Sequence, residues 1–329
     1  MKILAPARSL QEIEMLIHFG ADELYCGVST PEWEHHFGSH WWMNRRSPAG
    51  ANFSSLNDLS EAVALAHSNN IKVYVTLNAH FYPSGSLGYL LKFVEKLLDD
   101  IEVDGFIVSD INLLIALSDS KLPVKVHLSS LAGCFNSWSQ DFFRSLGVTR
   151  VILPRQLQPK EIKSIVTTQH SPMQYEVFAV NDGCYFEESL CQTTHSLGPF
   201  CLTDWNIEVH SSQHLKNVHG DIQHHSEELK EYLWYLNNCG SSFQEDGIPN
   251  GPCSLCWFGH FRDWGVEALK IVGREASFFR KMMSLQLVKA VVEHVDAGKS
   301  PEQIADYARS LRKTPDYCAK KYMCYFREA

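Results

Sequence analysis

The chain has 329 residues, a formal net charge of −9 and ten cysteines. That length is enough to bury one large core. The acidic balance argues against binding driven by attraction to nucleic acid, which needs a basic face, so a small-molecule or protein substrate is favoured, with a local basic groove left open. The opening run from Met1 is broken by Pro6 and Arg8 before a signal-peptide core could form, and no apolar stretch reaches the roughly 18 residues that span a bilayer. A cytoplasmic setting is expected. Cysteines in such a chain read as free thiols or metal ligands rather than disulfides.

In chain order, residues 2–6 and 21–28 read as strands, with a helix between them opened by Ser9 and Glu12. Residues 55–66 place Leu59, Val63 and Ala66 on one helical stripe, followed by a strand over 71–78. Further strands at 103–110, 124–130, 148–155, 174–180 and 268–273 are near-continuous apolar runs, as parallel strands buried on both faces should be. Helical patterns at 89–98, 137–146, 159–166 and 278–295 fall between or after them. Alternation repeated eight times predicts a TIM-like (β/α)8 barrel, and no Gly-rich phosphate loop follows the first strand to favour an open doubly wound sheet. After the seventh strand comes a long insertion, 181–252, rich in His, Ser, Asn and Gly, with one helix near 226–236. It leaves the face where barrel active sites lie. Residues 1–298 are expected to form the barrel with its insertion, and 299–329 a helical tail with a helix over 301–312.

The insertion carries the chemistry. It opens with Cys184, Cys191 and Cys201 and closes with Cys253 and Cys256, and both of its ends must return to one barrel wall. Four thiolates around one centre suit zinc or an iron–sulfur cluster, and the spacing alone leaves both open, along with the choice of Cys253, Cys256 or even Cys26 as fourth ligand. Cys134, like Cys26, falls near a strand end and reads as a core or rim thiol; Cys239, Cys318 and Cys324 carry no local signal.

Tyr175-Glu176-Val177-Phe178, then Gly183-Cys184 and Cys191 six residues on, resembles the signature of the U32 (collagenase-like) peptidase family. Ala5-Pro6-Ala7 leading to Ala21-Asp22-Glu23-Leu24-Tyr25, Asn52-Phe53, Lys72 to Asn78, and Lys270-Ile271-Val272-Gly273-Arg274 are similar to other stretches of that family. The resemblance covers about residues 1–280. It implies a barrel with a [4Fe–4S] cluster on Cys184, Cys191, Cys201 and Cys253, zinc being the alternative. It further implies oxygen-independent hydroxylation of a small molecule or RNA base, with a peptidase as the other activity, or a non-catalytic role beside a second barrel of the same family. Val272 stands where the family has Glu, and Gln156 where it has Glu, which separates this chain from the usual substrate.

Lys270 and Arg274 close the eighth strand, where barrels bind phosphate or carboxylate, unless Lys270 is paired with Glu176. Asn52, Asn78 and His127 fall at or beyond strand ends and are candidates to line the cavity. Glu176 is a buried acid, hence either a cation's partner or, with His127, a proton carrier. The aromatic run 31–46, with Trp33, Phe37, Trp41 and Trp42, could stack on a substrate that Arg45 or Arg46 clamps. His214, His219, His224 and His225 read as a solvated loop, and no nucleophile–base pairing is legible.

Overall fold

The computed structural model describes residues 1–168, 172–181, 183–184, 189, 191, 223–231 and 242–326. Eight strands pair in parallel: Lys2–Pro6 (β1), Glu23–Val28 (β2), Lys72–Leu77 (β4), Gly105–Val108 (β5), Val126–Leu128 (β6), Val148–Ile152 (β7), Gln174–Val180 (β8) and Ala268–Ile271 (β9). β1 bonds to both β2 and β9, so the sheet closes on itself. The remaining strand, Asn52–Phe53 (β3), adds two residues to the C-terminal end of β2. The chain forms the expected (β/α)8 barrel.

Side-chain oxygens set the start of many outer helices. Ser9, Ser55, Asp110 and Ser300 each accept a backbone N–H three residues on, satisfying a donor that the first helical turn leaves free. The helix Ile111–Ser120 escaped the periodic pattern because its sequence, INLLIALSDS, is apolar nearly all round; Ile111 and Ile115 remain exposed. Glu12 departs from the expected capping box. Its carboxylate takes the backbone N–H of Arg8 at 3.0 Å and Lys281 Nζ at 2.8 Å, tying the first outer helix to Phe278–Asp296, the last barrel helix.

Inside the barrel, period-two alternation turns charged residues inward. Arg150 on β7 donates twice to Glu23 on β2, at 2.5 and 3.0 Å, and once to Glu176 on β8 at 3.4 Å. Glu176 also accepts from Lys270 Nζ on β9 at 2.9 Å, and that ammonium lies 3.8 Å from the centre of the Tyr25 ring. Two carboxylates and two cations thus neutralise one another across the barrel axis. Burial alone would push the Glu23 carboxyl up, but Arg150's hydrogen bonds and charge outweigh it and hold Glu23 below its ordinary value.

The tail packs back onto the barrel. Pro301–Arg312 forms the expected helix, and Arg312 at its end is buried, donating to Pro249 O at 2.7 Å and Gly251 O at 2.9 Å. Cys324 then bridges the backbone of Cys253.

Arg150→Met leaves Glu23 and Glu176 buried without their shared cation and is expected to cost about 3–5 kcal/mol of stability, read from denaturant unfolding at neutral pH. An unchanged midpoint would show the interior charges to be solvated. His127 supplies a pH test. Burial, reinforced by Arg150, Lys270, Lys125 and Lys2, holds its imidazole well below the ordinary value, so it is neutral when folded. The unfolded chain takes up that proton below about pH 6.5, so stability falls as pH drops from there. Glu23 adds to the loss at lower pH, as acid reaches its lowered folded-state value. His127→Gln is expected to flatten the stability slope between about pH 7 and 5; an unaltered slope would assign the titration elsewhere.

Candidate functional site

At the C-terminal end of the strands the barrel opens into a cavity of about 90 Å³ lined by Tyr25, Arg45, Arg46, Thr76, Asn78, Ser129, Arg155, Phe178, Lys270 and Arg274 among others. Arg274 is its fixed point. Nη1 donates to Asn52 Oδ1 at 3.1 Å and Thr76 Oγ1 at 2.9 Å, and Nη2 donates to Asn44 Oδ1 at 2.9 Å. Asn44 in turn donates to Asn52 at 2.9 Å, and Asn52 donates to Ser47 O at 2.8 Å. All three acceptors around the guanidinium are neutral. Burial draws Arg274 down to about 10, so it stays charged at neutral pH.

Gly27 makes room for this cradle. It sits on β2 opposite Asn52 of β3, and a methyl on it would fall inside the radii of Asn52 Oδ1 and Arg274 Nη1. The two-residue strand β3 therefore does a specific job: it brings Asn52 under Arg274. Asn52, expected to face a ligand, is a positioning residue that holds the cation.

Asn78 does reach the mouth. It accepts from the backbone N–H of Arg45 at 3.4 Å and donates to Ser129 Oγ at 3.3 Å. Arg46 pairs with Glu275 at 3.3 Å, and the Arg155 guanidinium lies 4.3 Å over the Phe178 ring. Lys270 borders the same cavity while bound to Glu176, the pairing anticipated as its structural role. His127 does not join the mouth. It lines the opposite end of the barrel with Lys2, Lys72 and Arg150, and its ring lies 4.2 Å from that of Tyr74. Glu176 is held between Arg150 and Lys270, wholly buried, so neither expected proton carrier stands free at the mouth.

The aromatic run after β2 divides. Trp33 is buried in the helix Pro31–Phe37 against Phe37, Tyr82 and Tyr89, which makes it core packing, while Arg45 and Arg46 beyond it reach the cavity.

The insertion starts from a fixed base. Asn181 takes a left-handed conformation, φ 71°, and is buried; its side chain donates to Ser284 Oγ at 2.8 Å and accepts from Arg280 at 3.1 Å. Asn181 N–H donates to Pro252 O and Ser254 N–H to Ala179 O, each at 2.9 Å, so the two ends of the insertion meet as expected. Two described residues beyond this base lie beside the mouth: Arg45 Nη2 donates to Cys191 Sγ at 3.1 Å, and Ser189 lies against Gly133. Cys184 is half-buried and Cys191 buried. Cys201, Cys239, His214 and His219 lie outside the described residues, and His224 and His225 are exposed on the helical stretch 223–231. Cys253 stands at the base, but its side chain lines a separate cavity with Cys256, Cys318 and Cys324. Cys26 and Cys134 are buried thiols, pushed up to about 12 and about 11 by burial. Among the described residues no three His, Cys, Asp or Glu side chains are spaced to grip a metal ion as they stand.

A barrel with a cationic mouth and a thiol-bearing insertion after its seventh strand is the class that the geometry defines. The chain belongs to peptidase family U32, whose family model matches residues 8–329. It is 33% identical over 331 residues to an uncharacterized protease of Methanocaldococcus jannaschii, covering 95% of this chain and 70% of that one. It is 27% identical over 331 residues to the tRNA hydroxylation protein P of Escherichia coli, covering 91% of this chain and 69% of the other. The protein of the same name from Helicobacter pylori J99 is 28% identical over 191 residues, 58% of this chain, which spans only 42% of that relative's length. A solved U32 peptidase overlaps 62% of this chain and 80% of its own at 16% identity, with a TM-score of 0.45. No helix among the described residues is long and apolar enough to cross a membrane.

Gly27→Ala is expected to displace Asn52 and Arg274, to cost about 1–3 kcal/mol of stability, and to diminish any stabilisation that an added anion gives. Thermal unfolding, with and without a nucleotide or phosphate ligand, checks both parts. A variant that melts and binds like the parent would show the cradle to be slack.

Proposed function

We propose that this chain is an iron–sulfur protein of oxygen-independent hydroxylation, acting in the cytoplasm on an anionic, base-bearing substrate, with RNA the leading candidate. The observation that carries the reading is Arg274: a cation 4% exposed at the mouth of the barrel, held only by neutral acceptors. A buried charge is costly unless an opposite charge joins it, and a phosphate or carboxylate arriving at the mouth does so. Arg45 and Arg155 border the same cavity, whose described lining holds no carboxylate, so the local field is positive although the chain is acidic. The Phe178 ring with Arg155 over it offers a flat surface on which an unstacked base can lie. The names of the Escherichia coli and Helicobacter pylori relatives add RNA to this list.

Cys184, Cys191 and Cys201 would hold the cluster, with Cys253 the expected fourth thiol. Among the described members, the guanidinium of Arg45 donating to Cys191 Sγ is the kind of contact that stabilises a thiolate, whereas the Cys253 side chain faces a separate cavity and would have to turn to join the set. A bound [4Fe–4S] centre supplies single electrons. The chain's own residues do the rest, with Arg274 fixing the substrate's anionic group and Asn78 offering it a polar edge. Peptide hydrolysis is the weaker reading. It needs a nucleophile with a base beside it, and the described lining has hydroxyls on Tyr25, Thr76, Ser129 and Ser130 but no His, Asp or Glu.

Anaerobic purification tests the proposal. The expected result is a coloured protein carrying iron and acid-labile sulfide, both lost in Cys184→Ser and Cys191→Ser. RNA from a deletion strain grown without oxygen is expected to lack one hydroxylated nucleoside by mass spectrometry, and Arg274→Gln to reduce its restoration at least about 10-fold. A colourless, zinc-only protein would sink the reading. Peptide cleavage by a Cys184→Ser variant would replace it with the peptidase, and activity only in company with a second family barrel would move the chemistry to the pair.

A further inference from the structure

The end of the barrel opposite the mouth holds a second cavity, of about 510 Å³. Its floor is Tyr74, His127 and Arg150, each no more than 2% exposed. Its rim carries Lys2, Lys72 and Lys125, at or beside the starts of β1, β4 and β6. None of the described residues that line it is a carboxylate. We propose that this cavity binds a small molecule through a phosphate or carboxylate group, with Lys72 and Lys125 supplying charge and His127 and Tyr74 supplying hydrogen bonds.

The floor presents donors that nothing described in the fold uses. Nδ1 of His127 is buried without a hydrogen-bond partner. The ring is neutral when folded and carries one proton, and a buried N–H without an acceptor is costly, so that proton belongs on Nε2. Burial pushes the Tyr74 hydroxyl above its ordinary value, so it keeps its proton too. Among the described residues neither His127 Nε2 nor the Tyr74 hydroxyl has a hydrogen-bond partner, and both side chains line the cavity. The two rings lie 4.2 Å apart, near enough for one ligand to meet both.

Charge points the same way. The charges that act most strongly on His127 are Arg150, Lys270, Lys125 and Lys2, all cations. The neighbouring carboxylates are already taken: Glu23 by Arg150 and Lys2, Glu267 by Lys2, and Asp104 by the Val73 N–H and the His67 ring. Lys72 and Lys125 have no ion pair among the described residues. Backbone packing sets this rim, since a methyl on Gly105 of β5 would lie 2.5 Å from Lys125 O. A cavity of this size takes a small molecule, and a floor so enclosed admits one group rather than a nucleic-acid backbone. Barrels carry out their chemistry at the other face, so the occupant here is an effector that stabilises the fold and not a substrate. The two cavities share no lining residue, so this proposal stands or falls independently of what the mouth binds.

The experiment is calorimetric titration of the full chain with inorganic phosphate, and separately with citrate, at an ionic strength held constant with chloride. The parent and Arg274→Gln, which removes the fixed cation of the mouth, are both expected to bind, and the tighter probe names the group. Lys72→Gln and Lys125→Gln are each expected to weaken that binding about 10-fold by removing a charge-assisted contact. Tyr74→Phe, which keeps the ring, is expected to weaken it about 5-fold, and Lys163→Gln, exposed on the outer helix Pro159–Thr167, to leave it unchanged. Lysine acylation read by mass spectrometry gives the location, the bound probe protecting Lys72 and Lys125 but not Lys163. Binding that vanishes in Arg274→Gln while both lysine variants bind like the parent overturns the proposal. Protection by an RNA oligonucleotide alone also overturns it and makes this end a nucleic-acid surface. Should a variant fail to fold, acylation of the parent decides, and equal rates at Lys72 and Lys125 with and without either probe overturn the site.

Discussion

Arg150 lies near the centre of a closed parallel sheet, and the electrostatics of the interior depend on it. A barrel core is normally filled with branched apolar side chains. This one holds Glu23, Glu176 and Lys270 as well, and the carboxylates can share that volume only because one guanidinium bridges them. A fork of fixed donors suits the task better than a point charge would, since it meets Glu23 with two bonds and still reaches Glu176. Pairing of this kind contributes little net stability over an apolar core, but it fixes which strands face one another.

That arrangement decides what is left for the mouth. With Glu176 held by Arg150 and Lys270, no interior carboxylate among the described residues pairs with Arg274 one layer higher. Arg274 is instead held by the amides of Asn44 and Asn52 and the hydroxyl of Thr76, which orient it without cancelling its charge. A neutral interior below a positive rim is a division of labour along the axis. The lower layer satisfies its charges within the fold, and the upper cation is oriented by neutral groups alone.

Much of this was legible in the residues. Buried parallel strands leave continuous apolar runs, so every barrel strand could be placed, and the insertion stood out because nothing in it alternates. Lys270 and Arg274 were visible as cations at a strand end. Arg150 and Glu23 were not, although each interrupts or opens an apolar strand just as Glu176 does, because a charged residue inside a strand acquires a direction only once closure defines an inside. Asn44 and Gly27 were invisible for a related reason. Their roles come from β3, a strand too short to leave a pattern. The helix Ile111–Ser120 lacked a polar face, and Asp110, its N-cap, was the one local sign of it. His127 was misdirected by strand length: β6 is three residues long, and its histidine turns toward the end opposite the mouth.

The cysteines show where local spacing stops being informative. Cys253-x2-Cys256 reads as half of a metal site, and the natural search for the other half runs to the nearest cysteines in the insertion. Helix packing carries Cys318 and Cys324 to the same place from the far end of the chain, a route that no spacing encodes. Cys253 joins the root of the insertion to the tail. Its backbone is bridged to Val180, the last residue before the insertion, and to Cys324 in the tail. Asn181, next to Val180, receives the Tyr325 hydroxyl on its carbonyl oxygen. A displacement of the tail must therefore move the root of the insertion, whose Cys191 meets Arg45. The tail is thus a structural support for the root of the insertion, held to it through the backbone of Cys253 and the Tyr325 hydroxyl.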